Sequence, residues 1–341
     1  MDRLVSSTNK KTIFLDDLFI IKFKNVNIYT NIRFQIKTNV IYINMHFTSR
    51  FADTFTKKIS FDLDKKLHSN KKKELILPLG NCFLDILAKE MRKLDYNVSS
   101  NILDKTGKNG LEFFFGNFHN PLNLLHTLER IKKKEKLDKS SFTFSKQFGH
   151  YICLFTKARF KTNNLNKLKK RIIEIDKKLL EEIKKATIIL LSFETNEIWI
   201  DKKSNKAWYS FYGNIYSQKP FGNKSKLKVI SHDELKKTMI SIIKILKKFG
   251  KKKMILMTSP NHLATTYQNI DVKIADNISK SVFCSAFKEL ENMDDVEYFP
   301  CYEIFLRHNQ KKINKYRKDQ LHVSNKFINK ILLKYFKRSF F

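Results

Sequence analysis

Continuous apolar runs that alternate with amphipathic segments are the feature that most constrains the fold of this chain. Residues 187–193 are almost entirely apolar, which is typical of a strand buried on both faces. Further strands are predicted at 254–257 and 296–299, and helices at 165–183, about 233–249, about 276–292 and after Val323. Strands that alternate with helices of this length predict βαβ units. We therefore expect an α/β fold with a mostly parallel sheet and helices on both faces.

The N-terminal part of the chain has a different pattern. Apolar residues alternate with polar ones in residues 32–37 and again in 40–44, which predicts a β-hairpin. A second hairpin is predicted as an insertion within residues 142–162. We expect two parts: a small β-rich extension over residues 1–62, to which no chemistry is assigned, and an α/β domain over residues 63–341.

The net charge raises the question of a polyanionic partner. Lys+Arg 67 against Asp+Glu 33 give a formal charge of +34, a balance that often marks binding to nucleic acid or an anionic membrane. Only ten of the basic residues are arginine, however, and arginine is the residue that phosphate and base recognition prefer. The lysines are also spread along the whole chain. We therefore expect a solvated surface and no specific nucleic-acid partner.

The cysteines and the N-terminal residues indicate the cellular compartment in which the protein is expected. Cys82, Cys153, Cys284 and Cys301 are far apart and form no C-x-x-C pair, so neither a zinc site nor a disulfide framework is indicated. The sequence predicts no metal and no cofactor. No signal peptide and no membrane-spanning run of ~18 apolar residues is apparent. We expect a cytoplasmic protein, whose oligomeric state the sequence does not indicate.

The turn at Gly80 is the first candidate site. Residues 75–79 are apolar, and Phe83, Ile86 and Leu87 begin a helical pattern that extends to about residue 95, although Pro78 argues against a strand. In a strand–turn–helix arrangement the residues after the glycine lie at a helix N-terminus, where negative charge is favoured. Enzymes mount a nucleophile at such a turn. Here that position is occupied by Asn81.

Polar residues follow the other predicted strands as well. In open α/β sheets, ligands bind beyond the carboxyl ends of the strands. The loops that should converge there are residues 80–82, 116–117, 194–197, 259–262 and 319–322. Asn120, Glu197 and His262 are candidate substrate-binding residues in or beside these loops.

Asp319 and His322 are the chemically most suggestive pair. A histidine three residues after an aspartate can act as a general base while the carboxylate fixes its tautomer. A solvent-facing loop histidine is the alternative. Asn196 could donate to an oxyanion or hydrogen-bond its own turn. Gly116 could provide an oxyanion N–H or only a positive φ.

The order of these motifs resembles the GSCFA family, which looks like a branch of the SGNH/GDSL hydrolases. The resemblance covers about residues 60–330 and rests on ordered matches that include Gly80-Asn81-Cys82-Phe83-Leu84, Glu197-Ile198-Trp199, Thr258-Ser259-Pro260 and Asp319-x-x-His322-Val323-Ser324. It implies a flavodoxin-like three-layer α/β/α sandwich and an esterase-type site. Carried over, Gly116 and Asn196 would be the oxyanion donors, Asp319 the orienting acid and His322 the base.

The chain departs from the family at the motif G-S-C-F-A, because Asn81 stands where the family has its serine nucleophile. An amide has no ionisable proton on a nucleophilic atom, so His322 cannot activate it. Cys82 could carry a lowered thiol pKa on the first helical turn. One residue is about a hundred degrees of helix rotation, however, and a packing role is expected.

Two functions therefore remain open. The first is an ester hydrolase that acts on an acylated polysaccharide or another small ester. The second is an inactive pseudo-hydrolase that binds a glycan or ester ligand in the same cleft. A nucleic-acid binder would rest on net charge alone.

Overall fold

The computed structural model describes the backbone of residues 32–37 and 40–45, and residues 72–99, 118–145, 149–156, 161–209, 224–308 and 313–341. The chain divides into two compact units, Met1–Leu63 and Asp64–Phe341. In the first unit, β1 (Ile32–Lys37) pairs antiparallel with β2 (Val40–Met45), and Lys37 stands opposite Val40. This is the hairpin that the period-two pattern predicts.

The second unit alternates strands and helices. In chain order its elements are β3 (Ile76–Gly80), α1 (Cys82–Arg92), α2 (Pro121–Lys133), β4 (Phe142–Ser145), β5 (His150–Cys153), α3 (Leu165–Lys185), β6 (Ile188–Phe193), β7 (Glu197–Asp201), β8 (Ser225–Val229), α4 (His232–Lys247), β9 (Lys253–Thr258), α5 (Val272–Leu290), β10 (Val296–Tyr298), α6 (Cys301–Arg307), α7 (Asn325–Phe327) and α8 (Leu333–Phe340). A π-helical turn at Ile328–Leu332 joins α7 to α8.

A four-stranded parallel sheet forms the centre of this unit, in the order β10-β9-β6-β3. All six residues of β6 are buried. Ile189, Leu191 and Phe193 pack in a core with side chains of α2, α3, α4 and α5. The intervening residues point to the other face, and α1 contacts β3 and β6. The predicted α/β fold with a parallel sheet is confirmed.

The glycine that ends β3 is required by a close approach of two backbones. A Cβ built on Gly80 would lie 2.1 Å from the carbonyl oxygen of Ser192 in β6, closer than any side chain tolerates. Pro78 stands opposite Leu190 in the same pair of strands. Among the described residues β3 is the last strand of the four-stranded sheet. Ile76 and Gly80 hydrogen-bond on the side away from β6, so the N–H that Pro78 lacks is not required for the pairing with β6.

Several boundaries and elements differ from the sequence prediction. Helix α1 ends at Arg92 and not near 95, since Asp95 has a positive φ of 61°. Helix α5 begins at Val272, earlier than predicted, because the Asp271 side chain caps it by accepting the Lys273 N–H at 2.7 Å. The antiparallel pair β7–β8 was not predicted, whereas β4–β5 forms the predicted inserted hairpin. The apolar run at residues 111–115, which precedes Gly116 and also has the pattern of a strand, lies outside the described residues.

No helix in the described ranges is both long enough and apolar enough to cross a bilayer.

Candidate active site

Asn81 lies between the end of β3 and the first residue of α1. Its backbone N–H donates to the Ser192 carbonyl at 3.1 Å, and its side chain makes no capping bond to α1. Instead, Nδ2 donates to Glu194 Oε2 at 2.9 Å, and the residue is fully buried. A carboxylate only accepts hydrogen bonds, so the amide nitrogen must face Glu194. The carbonyl oxygen Oδ1 is left without a hydrogen bond to the described residues.

Glu194 joins Asn81 to a histidine. Its Oε1 is hydrogen-bonded to His119 Nδ1, and the buried Lys280 ammonium donates to its carbonyl oxygen at 3.2 Å. Burial alone would raise the pKa of Glu194, but the charge and hydrogen bond of His119, followed by Lys280 and Asn81, outweigh it and lower that pKa. Glu194 is therefore held as a carboxylate. A buried charge must be compensated. Both oxygens of the Glu194 carboxylate are hydrogen-bonded, Oε1 to His119 and Oε2 to Asn81.

His119 and Glu194 are the members of this cluster that sequence reasoning did not select. Both lie in loops that follow apolar runs of the sequence, and this position could have been used to select them as candidates. They carry no recognisable motif, however, and they are 75 residues apart in the chain. Only the fold brings the imidazole and the carboxylate together.

Asp319 and His322 form the pair that their spacing suggests. His322 Nδ1 lies 2.7 Å from Asp319 Oδ2, and Asp319 Oδ1 accepts the N–H groups of Leu321 and His322, each at 3.0 Å. The bonds from His322 N–H and Leu321 N–H, followed by that from the imidazole, lower the pKa of Asp319 to about 2. The carboxylate therefore stays ionised across the physiological range. With Nδ1 engaged, Nε2 is the ring nitrogen that can meet a ligand.

Asn261 connects the loop after β9 to two of the other candidate loops. Its Nδ2 donates to Cys82 Sγ at 3.3 Å, and its Oδ1 accepts the Val323 N–H at 3.0 Å. The neighbouring His262 N–H donates to the Leu321 carbonyl at 3.0 Å. These bonds tie the turn after β3 to the turn that carries Asp319 and His322. Together with the bond between Asn81 and Glu194, they bring four of the five predicted loops together.

His262 uses both of its ring nitrogens within this cluster. Nδ1 lies 2.7 Å from Asp276 Oδ2, Nε2 is hydrogen-bonded to the Tyr316 hydroxyl, and the two rings stack with centroids 4.9 Å apart. Burial would raise the pKa of Asp276, but the hydrogen bond from His262 and the charge of Lys280 lower it. His262 therefore anchors the Tyr316 segment to α5.

Asn196 and Asn120 join their loops to distant parts of the chain. Asn196 accepts from Ser279 Oγ at 2.8 Å and donates through Nδ2 to the Ile230 carbonyl at 3.2 Å. Asn120 caps α2 by accepting the Leu122 N–H at 2.9 Å, and its Nδ2 donates to the Thr195 carbonyl at 3.0 Å. The Asn196 side chain is thus bonded to α5 and to the segment after β8 and not to its own turn, and its role as an oxyanion donor stays a prediction. Gly116 lies outside the described residues.

Glu197 holds the segment that follows the loop after β9. Its carboxylate accepts the Tyr267 N–H at 2.8 Å, the Gln268 Nε2–H at 2.8 Å and the Thr266 hydroxyl at 2.5 Å. Each of its oxygens is thus engaged within the protein. Glu197 therefore fixes residues 266–268 against the start of β7, and its role in substrate binding stays a prediction.

Comparison with known proteins was made for the whole chain. The GSCFA family model matches residues 75–335, which is most of the sequence. The chain belongs to the GSCFA family. None of the curated proteins compared with it matches. The matched range of this GSCFA chain contains Asn81, His119, Glu194, Asp319 and His322, so the whole cluster lies in the part that the family model describes.

The environment of Cys82 in this GSCFA chain disfavours its thiolate form. Burial first, and then the charge of Glu194, raise the pKa of its thiol to about 12. The thiol is therefore protonated at neutral pH, and the thiolate is the nucleophilic form. Among the described residues, moreover, no group of three or more His, Cys, Asp and Glu side chains could hold a metal ion. These loops bring together a buried amide and three carboxylate–imidazole pairs, which are Glu194–His119, Asp276–His262 and Asp319–His322.

Proposed function

We propose that this GSCFA protein is a ligand-binding pseudo-hydrolase, with an SGNH-type three-layer sandwich whose cleft holds a carbohydrate or small ester without forming an acyl-enzyme. One observation carries the proposal. At the position where the family has its serine, the Asn81 side chain is buried and bonded to Glu194. An amide in that place can recognise a ligand but cannot attack it.

The orientation of the Asn81 amide supports recognition of a hydroxyl group. Glu194 occupies Nδ2, so the unpaired Oδ1 is a hydrogen-bond acceptor. A second buried oxygen without a partner among the described residues is Ser192 Oγ, which belongs to the residue whose carbonyl accepts the Asn81 N–H. A buried polar atom left unpaired costs about 1–3 kcal/mol. A hydroxyl group of a sugar or of a small ester would satisfy the Asn81 acceptor by donating a hydrogen bond, which an ester carbonyl alone cannot do.

A second candidate is hydrolysis by directly activated water, which the Asp319–His322 pair favours. In that reaction His322 Nε2 would take a proton from a water molecule whose oxygen attacks the ester carbonyl carbon. The imidazolium would then return the proton to the departing alkoxide. Sites of this type retain only a small part of their catalysis once the nucleophile is removed.

Hydrolysis of 4-nitrophenyl acetate by the wild type, Asn81→Ser, Asn81→Ser/His322→Ala and His322→Ala separates these candidates. His232→Ala is the matched control, because His232 is a carboxylate-paired histidine at the start of α4. The proposal expects the wild type to equal His322→Ala, and Asn81→Ser to gain activity that is lost again in the double variant. Wild-type turnover that depends on His322 would establish the second candidate. Activity that none of the substitutions changes would contradict both.

Binding is tested with cellotetraose and its partially acetylated form by calorimetry. Asn81→Leu keeps the size of the side chain and removes the acceptor, so we expect affinity to fall about tenfold, as for one lost hydrogen bond. Asn277→Leu, on the exposed surface of α5, should leave the affinity unchanged. Absence of binding to both sugars, or equal affinity in Asn81→Leu, would contradict this role of Asn81.

A further inference from the structure

A cavity of about 420 Å³ opens between α2 and α3. Its walls are largely apolar and include Ile131, Leu137, Phe142, Ile172 and Leu180. The volume falls in the range of small-molecule sites, roughly 300–1,000 Å³. The cavity lies at the carboxyl end of α2, whereas His119 and Asn120 precede its amino end. Since α2 has 13 residues, the two ends are about 18 Å apart, and the cavity is separate from the candidate active site.

The rim of the cavity is positively charged. Lys134, Lys136, Lys169 and Lys177 all line it.

The acids of the lining do not cancel this charge, because each is paired with a basic group. Asp176 receives two hydrogen bonds from the buried guanidinium of Arg130. Glu135 is paired with Lys206, which lies outside the cavity lining. The four rim lysines therefore leave a net attraction for an anionic group.

Apolar surface extends from the cavity to the solvent. Ile173 lines it and is 58% exposed, a high value for a residue of this type. The Lys169 ammonium lies 5.5 Å from the centre of the Phe142 ring, so a cationic and an aromatic group of the lining are adjacent. A ligand with an apolar body and one anionic end matches this arrangement of walls and rim.

We propose that this cavity binds a single-chain amphiphile with an anionic head, of the medium-chain fatty-acid type. The alkyl chain would lie against the apolar walls, where each buried CH₂ is favourable. The carboxylate would lie among the rim lysines. Neutral and cationic amphiphiles of the same length would keep the first interaction and lose the second. A polynucleotide would satisfy the lysines but not the apolar walls.

The test is calorimetric titration of the full chain with decanoate, 1-decanol and decyltrimethylammonium below their aggregation limits. Decanoate should bind most tightly. In Lys136→Glu/Lys177→Glu, which reverses two rim charges, the affinity for decanoate should fall about tenfold. The control Lys132→Glu/Lys170→Glu changes exposed lysines of the same two helices that are outside the lining. The affinity of this control variant for decanoate should stay within about twofold of the wild-type affinity.

Three results would overturn the proposal. They are equal binding of the cationic and anionic probes, an equal loss of affinity in both double variants, and absence of decanoate binding. In a further experiment, binding of the protein to phosphatidylglycerol vesicles is measured by co-sedimentation. Vesicle binding that depends on Lys136 and Lys177, without any decanoate binding, would assign the rim to a membrane surface and not to a free amphiphile. Ile173→Asp, at an exposed position, should weaken decanoate binding without unfolding the protein.

Discussion

At the scale of single residues, the amide at position 81 has its orientation set by a carboxylate. Glu194 binds Nδ2, so Oδ1 faces away from it. The same carboxylate binds His119. Asn81 is thus part of a charged network that the family motif alone does not reveal. Its carbonyl oxygen is therefore a hydrogen-bond acceptor of fixed orientation.

The thiol of Cys82 should be unreactive in the folded protein. Because burial and Glu194 raise its pKa to about 12, the thiolate fraction at pH 8 is negligible. We expect iodoacetamide at pH 8 to leave Cys82 unmodified over an hour in the native state, as followed by peptide mass spectrometry. The same reagent should modify all four cysteines in guanidinium chloride. Rapid native-state modification of Cys82 would contradict the burial and electrostatics described for it.

Replacement of Gly80 by alanine should be strongly destabilising. The added Cβ would meet the Ser192 carbonyl at 2.1 Å, and relief requires β3 and β6 to separate. We expect a loss of about 2–3 kcal/mol or more in the free energy of unfolding, measured in urea. Gly149→Asn is the matched control: its φ is +65° and nothing lies within 4 Å of the added Cβ. Asparagine tolerates that conformation, so an equal loss there would refute the steric explanation.

Residue spacing was sufficient to propose the hydrogen-bonded pair Asp319–His322, because three residues of one turn bring both side chains together. It was insufficient for the pair Glu194–His119, whose members are far apart in sequence. The amides of Asn120 and Asn196 illustrate a further limit of prediction. Their role at an oxyanion stays a prediction, whereas their bonds to the Thr195 and Ile230 carbonyl groups could not be inferred from any sequence pattern.

At the scale of elements, Lys280 fixes α5 to the loop after β6. Its ammonium is fully buried, lies 3.5 Å from Asp276 Oδ1 and donates to the Glu194 carbonyl at 3.2 Å. An isolated buried charge is costly. Removal of Lys280 would leave Asp276 bonded to the His262 side chain and the Leu263 N–H. The helix and the candidate site are therefore coupled through one side chain.

Lys280→Met should therefore lower the free energy of unfolding by about 3 kcal/mol, which is the magnitude found when one partner of a buried ion pair is removed. Chemical denaturation followed by circular dichroism measures the change. The control is Lys288→Met on the same helix, because that lysine is exposed and pairs with Glu291. Exposed pairs contribute about 0–1 kcal/mol. Similar losses in the two variants would show that Lys280 is not a structural tie.

The strands and helices were predictable from the sequence wherever a single periodicity of apolar residues dominated a segment. Strand β6 and helix α3 follow from an unbroken apolar run and a helical repeat. Strand β3 was doubtful because of Pro78, and the doubt is resolved because the N–H that this proline lacks is not required for the pairing with β6. The pair β7–β8 was missed because its strands are five residues long and polar at several positions. Their antiparallel pairing joins segments that are separated by 23 residues.

At the scale of the whole molecule, buried carboxylates make stability depend on pH. Glu194 and Asp276 have pKa values below their ordinary 4.5 and 3.8. In the unfolded chain these groups bind protons first as the pH falls. Their contribution is therefore complete above the ordinary pKa values and is lost as the pH falls through them towards the lower folded-state values.

Urea unfolding between pH 7 and pH 3 should show this loss. We expect the wild-type free energy of unfolding to fall below about pH 4.5, the ordinary carboxyl range. Glu194→Gln should be less stable at pH 7 and show a shallower fall. Asp294→Asn, which replaces an exposed acid, should retain the wild-type slope. If the free energy of unfolding of Glu194→Gln fell with pH as steeply as that of the wild type, Glu194 would not be a source of the pH dependence.

The central claim, that position 81 recognises a ligand and does not attack it, is tested most directly with a fluorophosphonate that labels activated serines. Intact-mass analysis should show no adduct on the wild type. Asn81→Ser should acquire one adduct, at the substituted position, and Asn81→Ser/His322→Ala should not. A wild-type adduct that depends on His322 would contradict the claim. Failure of Asn81→Ser to react would contradict the hydrolase-type geometry on which the claim is built.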